Sequence, residues 1–99
     1  MPISVVTTRK GGTGEAMMAA TRKLKVALEK HGAESVVLNQ VMAGPDSGQW
    51  VVRIMCANWE AFGKVMQAAS NDPAVSESIA GLDAVSEMIS RRLLASLDL

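Results

Sequence analysis

Apolar and polar positions follow two different rhythms along this 99-residue chain, and each change of rhythm marks a predicted element. Ile3 to Thr8 is rich in β-branched residues, suits a pleated strand, and runs into the loop Arg9-Lys10-Gly11-Gly12-Thr13-Gly14. From Glu15 the spacing becomes helical. Met17, Ala20, Thr21, Leu24, Ala27, Leu28 and His31 recur at steps of three and four, while Arg22, Lys23, Lys25, Glu29 and Lys30 lie mostly off that stripe. This predicts an amphipathic helix of about four to five turns. Thr13 or Gly14 can cap it, Glu15 suits the positive end of its dipole, Lys30 and His31 suit the negative end, and Gly32 supplies a left-handed stop. Glu34 to Ala43 and Gln49 to Ala57 read as antiparallel strands joined by the turn-forming run Gly44-Pro45-Asp46-Ser47-Gly48. Asn58 is an N-cap for a second helical stripe, Trp59, Phe62, Val65, Met66 and Ala69, which stops before Asn71-Asp72-Pro73. Asp72 then caps a short helix that begins at Pro73, turns Val75 and Ile79 inward and closes at Gly81-Leu82-Asp83. Val85 to Leu97 holds enough aliphatic residues for a last strand, with a terminal helix as the alternative.

Strand, helix, strand, strand, helix, strand is the split βαβ order of an α+β, ferredoxin-like sandwich: a four-stranded antiparallel sheet with helices on one face, in a single domain spanning residues 1–99. Alternation along the third strand puts Trp50, Val52, Ile54 and Cys56 on one face and Val51, Arg53, Met55 and Ala57 on the other. Both faces are mainly apolar. A sheet with one wet face should alternate apolar and polar residues, so a cover on each side is expected: the chain's own helices on one, a second copy's sheet on the other. The expected homodimer uses the face bearing Trp50, Val52, Ile54 and Cys56.

Charge narrows the partners. Six basic and four acidic residues precede position 50 and four and six follow it, which gives no polyanion-binding signature, so nucleic acid is not an expected partner. The start Met1-Pro2-Ile3-Ser4-Val5-Val6 does not resemble a secretory signal, and no apolar run approaches a bilayer span of about twenty residues, so a soluble, cytoplasmic protein without membrane contact is expected. Cys56 is the single cysteine and has no nearby cysteine or histidine with which to share a metal, so no metal site is expected and the thiol reads as core.

All three aromatic residues, Trp50, Trp59 and Phe62, fall in one stretch at a strand-to-helix junction, as the centre of a small core or the wall of a cavity would require. If the five-residue connection sets Met42 opposite Trp50, Asn39 lies opposite Arg53, two polar groups amid Val37, Val41, Val51 and Met55. They could bond each other and Glu87, or serve a ligand oxygen. Trp59 has the parity to join that face. His31, the one histidine, sits where it favours a helix dipole and has no evident partner for base catalysis. Gly63 marks close packing or space for a ligand. Lys10-Gly11-Gly12-Thr13-Gly14 is similar to the deviant phosphate loop of ParA-like ATPases, KGGxGK[ST], but Glu15 and Ala16 replace the Lys and Ser/Thr that would hold phosphate and magnesium. A structural loop is the expectation.

The element order, together with Ala57-Asn58-Trp59-Glu60-Ala61-Phe62 and the later Asn71-Asp72-Pro73, resembles the dimeric α/β-barrel superfamily: the antibiotic-biosynthesis monooxygenase-like, stress-responsive A/B-barrel and NIPSNAP-like groups. The resemblance implies two ferredoxin-like subunits with their sheets packed into a barrel and a cleft between each sheet and its helices. Several members use that cleft for cofactor-independent oxygenation of aromatic polyketides, for isomerisation or lactone chemistry, or for haem degradation, and many have no assigned activity. Haem-degrading members pair a strand-one Asn and the strand-end Trp with a His on the second helix; Trp59 matches, but strand one offers Thr7 or Thr8, and residues 60 to 73 contain no His. The histidine that monooxygenase-like members often carry on that helix is also missing, with Gly63, Lys64 and Val65 in its place. The expected function is that of a binding or structural homodimer with no cofactor, whose cleft, lined by Trp59, Arg53, Asn39, Met66 and Thr7, takes a small apolar or aromatic ligand. A cofactor-independent monooxygenase or isomerase acting on a small aromatic or polyketide-like molecule is the alternative, and a haem or tetrapyrrole binder is a third reading.

Overall fold

The computed structural model describes Met1 to Leu99. The elements are β1 (Ile3–Lys10), α1 (Gly14–Lys30), β2 (Ser35–Gln40), β3 (Trp50–Cys56), α2 (Trp59–Asn71), α3 (Pro73–Val85) and β4 (Glu87–Ala95). The four strands form one antiparallel sheet in the order β2-β3-β1-β4, with the helices on one face, so the chain has the ferredoxin-like α+β fold. The last segment is the strand, not the alternative helix. No helix is long and apolar enough to cross a membrane.

The helix ends follow local chemistry. Thr13 Oγ1 accepts from the Ala16 N–H at 3.1 Å, Asn58 Oδ1 from the Ala61 N–H at 2.8 Å, and Asp72 Oδ1 from the Ala74 N–H at 2.9 Å. Each satisfies one of the amides that a helix start leaves without an intrahelical partner. Gly32, at φ +106°, carries the chain away from α1 in the left-handed region, as a helix stop requires. One boundary differs from expectation: α3 does not close at Gly81 but continues to Val85. Leu82 is 2% exposed, and the Ser86 N–H still reaches the Leu82 carbonyl at 3.0 Å, so burial carries the helix past its glycine.

The hairpin differs too. β2 ends at Gln40 because Met42 and Ala43 join the turn, which closes where the Val41 N–H donates to the Gln49 carbonyl at 2.9 Å and the Gly48 N–H to the Val41 carbonyl at 2.7 Å. Widening the turn slides the register by two, so Val37 lies opposite Arg53 and Asn39 opposite Val51. Asn39 and Arg53 still share a face, because an even slip preserves parity, but they are diagonal neighbours rather than the expected pair.

The core occupies the space between sheet and helices. Val36, Trp50, Val52 and Cys56 meet Met17, Leu24 and Leu28 of α1, Val65 of α2, and Val75 and Leu82 of α3. Each such side chain contributes roughly 1.5–3 kcal/mol when fully buried. The face expected to carry the dimer contact is therefore the one the helices cover: Trp50 is 8%, Val52 1% and Cys56 0% exposed. Alternation revealed two apolar faces but not which one the helices take. Trp50 shows the choice, since its indole N–H donates to the Gly11 carbonyl at 2.9 Å and so ties the strand to the loop that starts α1. The opposite face bears no helix. It presents Val37 and Leu94, both large and exposed, beside half-buried Val51 and Met55, with Ser4 and Val6 packed along the central strand. β4 closes the sheet as an edge strand, with Met88, Ile89, Leu93 and Leu94 all substantially exposed.

Candidate functional site

Helices and sheet do not meet perfectly over the β1–β4 half of the sheet. A cavity of about 190 Å³ remains there, lined by 14 residues of which 11 are apolar. Its floor is Val5 and Thr7 of β1 with Val52 and Ile54 of β3, its roof is Leu24 and Leu28 of α1, Met66 and Ala69 of α2 and Val75, Ile79 and Leu82 of α3, and its open side is Met88 and Arg91 of β4. Arg9 completes it. The volume suits one or two fused rings, in the apolar setting typical of small-molecule sites. A shallower hollow of about 250 Å³, lined by Phe62, Leu93 and Arg92, adjoins it through the shared Val5 and Arg91. A larger groove of about 570 Å³ between α1 and α3 is lined mainly by charged and small residues, among them Arg22, Lys23, Lys30 and Glu77, and reads as a solvated surface.

The polar groups of the cleft are few. Arg9 is 2% exposed; its Nη1 donates to Asp83 Oδ1 at 2.8 Å and to Ser86 Oγ at 3.3 Å, while its Nε has no partner in the protein. Thr7 lies directly across from Arg91 on β4, and the β1–β4 register slips between Thr8 and Arg9. A bulge of this kind bends a strand and re-aims the side chains beside it. No histidine, cysteine or carboxylate lines the cavity.

The five residues expected at the site divide. Thr7 and Met66 line the cavity. Asn39 and Arg53 are exposed on the helix-free face, so the sheet separates them from it. Trp59 opens α2 and is 54% exposed, with its ring edge-on to Phe62 at a centroid distance of 5.9 Å and an interplanar angle of 86°. It thus touches the wall of the adjoining hollow but does not line the main cavity. Arg9 and Arg91 were not expected there. Arg9 shares the parity of Ile3, Val5 and Thr7, so a guanidinium at the end of that inward series was legible in principle. Arg91 was not, since β4 lacks a clean alternation.

Elsewhere the titratable groups read as structural. His31 Nε2 and Asp72 Oδ2 lie 2.6 Å apart and join the end of α1 to the α2–α3 junction. Asp72 is held below the usual carboxylate range first by this bond, then by the Ala74 N–H, with the charge of Lys30 adding to the effect. Burial pushes the Cys56 thiol up, and the nearby carboxylate of Glu34 adds to it. Nowhere do three or more His, Cys, Asp or Glu side chains gather as a metal site would need. Packing explains one glycine of the loop: a Cβ on Gly12 would lie 2.5 Å from the Val85 carbonyl oxygen.

No protein-family model matches this chain, and no curated protein matches it by sequence. Solved structures do match across nearly the whole chain. SnoaB, a cofactor-independent oxygenase from Streptomyces nogalater, superposes with a TM-score of 0.70 at 11% identity, covering 99% of this chain and 95% of that one. Rv0793 from Mycobacterium tuberculosis gives 0.65 at 17% identity, covering 100% and 98%. A NIPSNAP family protein of unknown function from Agrobacterium tumefaciens gives 0.66 at 10% identity, covering 94% and 86%. The chain therefore shares the ferredoxin-like fold of monooxygenase-type and NIPSNAP structures, as the resemblance in its sequence implied.

Proposed function

We propose that this protein is a homodimeric small-molecule binder, each subunit holding an apolar or aromatic ligand in the cleft between its sheet and its helices. The carrying observation is the cavity itself, about 190 Å³ with 11 of its 14 lining residues apolar, the composition of a small-molecule site. The helix-free face supports the dimer: Val37, Val51, Met55 and Leu94 make an apolar surface with no cover in one chain, and a second sheet laid on it would supply one.

The fold shared with SnoaB supports a second reading, cofactor-independent oxygenation or isomerisation of a small aromatic or polyketide-like molecule. The cleft bears on how such chemistry would run. With Thr7, Arg9 and Arg91 as its polar side chains, it offers cations to stabilise a substrate anion but no carboxylate or imidazole to create one. A substrate would have to be acidic already.

Titration with indole and with naphthalene, followed by methyl NMR, tests the binding reading. Shifts at Met66, Val52 and Leu82 with none at Val37 are expected. No shift at the cleft methyls with either probe overturns it.

A further inference from the structure

We infer that the cleft is specific for a ligand whose apolar body carries one carboxylate, with Arg9 and Arg91 as the residues that hold it; the inference rests on reading the cleft as a ligand site. Arg9 is the deepest charge in the molecule, with its side chain 3% exposed. A buried guanidinium is expected to satisfy its donors, yet Nη1 carries both of its bonds and Nε has none. An unpartnered donor at the wall of an apolar cavity is a place for an acceptor that arrives with a ligand. The charge tally agrees. Arg9 and Arg91 both line the cavity and no acid does, while Asp83, 57% exposed and outside the lining, offsets one of the two cations. One positive charge is left over, which a monoanion would match. A carboxylate fits better than a spherical anion because a planar guanidinium presents paired donors to two oxygens at once. Thr7, paired across the strands with Arg91, adds a neutral hydroxyl on the same face. The apolar roof of Leu24, Met66 and Leu82 would take the body of the molecule.

Calorimetric titration with 2-naphthoate and with its neutral isostere 2-naphthamide separates this from simple apolar binding. The native protein should bind naphthoate at least about tenfold more tightly. Arg91→Gln, on the exposed edge strand and so expected to fold, should bring that preference close to one by weakening naphthoate binding far more than naphthamide binding. Asp83→Asn, which frees Arg9 at a half-exposed position, should widen the preference, a result that a purely structural role for Arg9 would not produce. Equal binding of the two probes in the native protein, or a preference that neither variant moves, overturns the carboxylate assignment and leaves the cleft reading standing. Binding of neither probe removes both.

Discussion

Replacing Gly12 by alanine should be among the most damaging single-methyl changes in the molecule, and Gly11→Ala provides its control. Both glycines have positive φ, +85° at Gly11 and +79° at Gly12, so each alanine meets the left-handed penalty of about 1–2 kcal/mol. Space distinguishes them. A Cβ on Gly11 would have no atom within 4 Å, whereas on Gly12 it would meet the Val85 carbonyl oxygen at 2.5 Å and the Met17 Cγ and Sδ at 3.5 Å. The oxygen belongs to the last residue of α3 and is backbone, so relief requires the loop or the helix end to shift, an overpacking cost of roughly 1–3 kcal/mol. Gly11→Ala should thus cost about 1–2 kcal/mol and Gly12→Ala about 2–5 kcal/mol. Urea unfolding followed by far-UV circular dichroism reads the difference: at a slope of about 1–2 kcal/mol per molar, the Gly12 midpoint should fall about 0.5–3 M below that of Gly11. Coincident midpoints would show that close approach is not why Gly12 is glycine, and the packing account of the Lys10 to Gly14 loop would have to be given up.

Three further outcomes are expected. Val37→Asp together with Leu94→Asp, both on the helix-free face, should convert a dimer into a folded 10.5 kDa monomer by light scattering; a native protein that is already monomeric at micromolar concentration, or a dimer that survives both charges, refutes that interface. Because the folded Asp72 titrates below an ordinary carboxylate, its stabilising effect is full above about pH 4 and is lost as pH falls through its lowered value. Asp72→Asn should therefore flatten the acid limb of a plot of melting temperature against pH below about 4, and an unchanged slope there would count against the His31 link. Cys56, 0% exposed and with its thiol pKa raised, should react with a thiol reagent at neutral pH only at the rate of unfolding, so rapid labelling of the folded chain would show that β3 is not packed as described.

Much of this fold was legible because its local signals are strong and agree with one another. Thr13, Asn58 and Asp72 all cap where their side chains predict, and the stripe from Met17 to Leu28 is the buried side of α1. Periodicity alone could not settle orientation: β3 is apolar on both faces, so parity sorted its residues correctly into two sets but could not say which set the helices cover. That ambiguity placed Asn39 and Arg53 in the cleft, whereas they lie on the far side of the sheet. Turn length was the second gap, since Met42 and Ala43 fit a strand by composition and were released from it by the wider turn. Arg9 was hidden for a different reason. Parity aligns it with Val5 and Thr7, but an arginine at the end of a strand suggests solvent, and it is the return of α3 and Ser86 over that end that encloses it.

The unequal surroundings of the two indoles give this protein two optical reporters. Trp50, enclosed and tied to the Gly11 carbonyl, should emit in the blue and shift to the red when the β1–α1 loop lets go, so its spectrum follows the integrity of the fold. Trp59, largely in water beside Phe62, should already emit in the red and be open to collisional quenchers, so any event that covers the start of α2 would be seen as protection from iodide while the blue component stays still. Two excited states, spectrally separable in one unlabelled chain, can thus tell unfolding from an event at that surface.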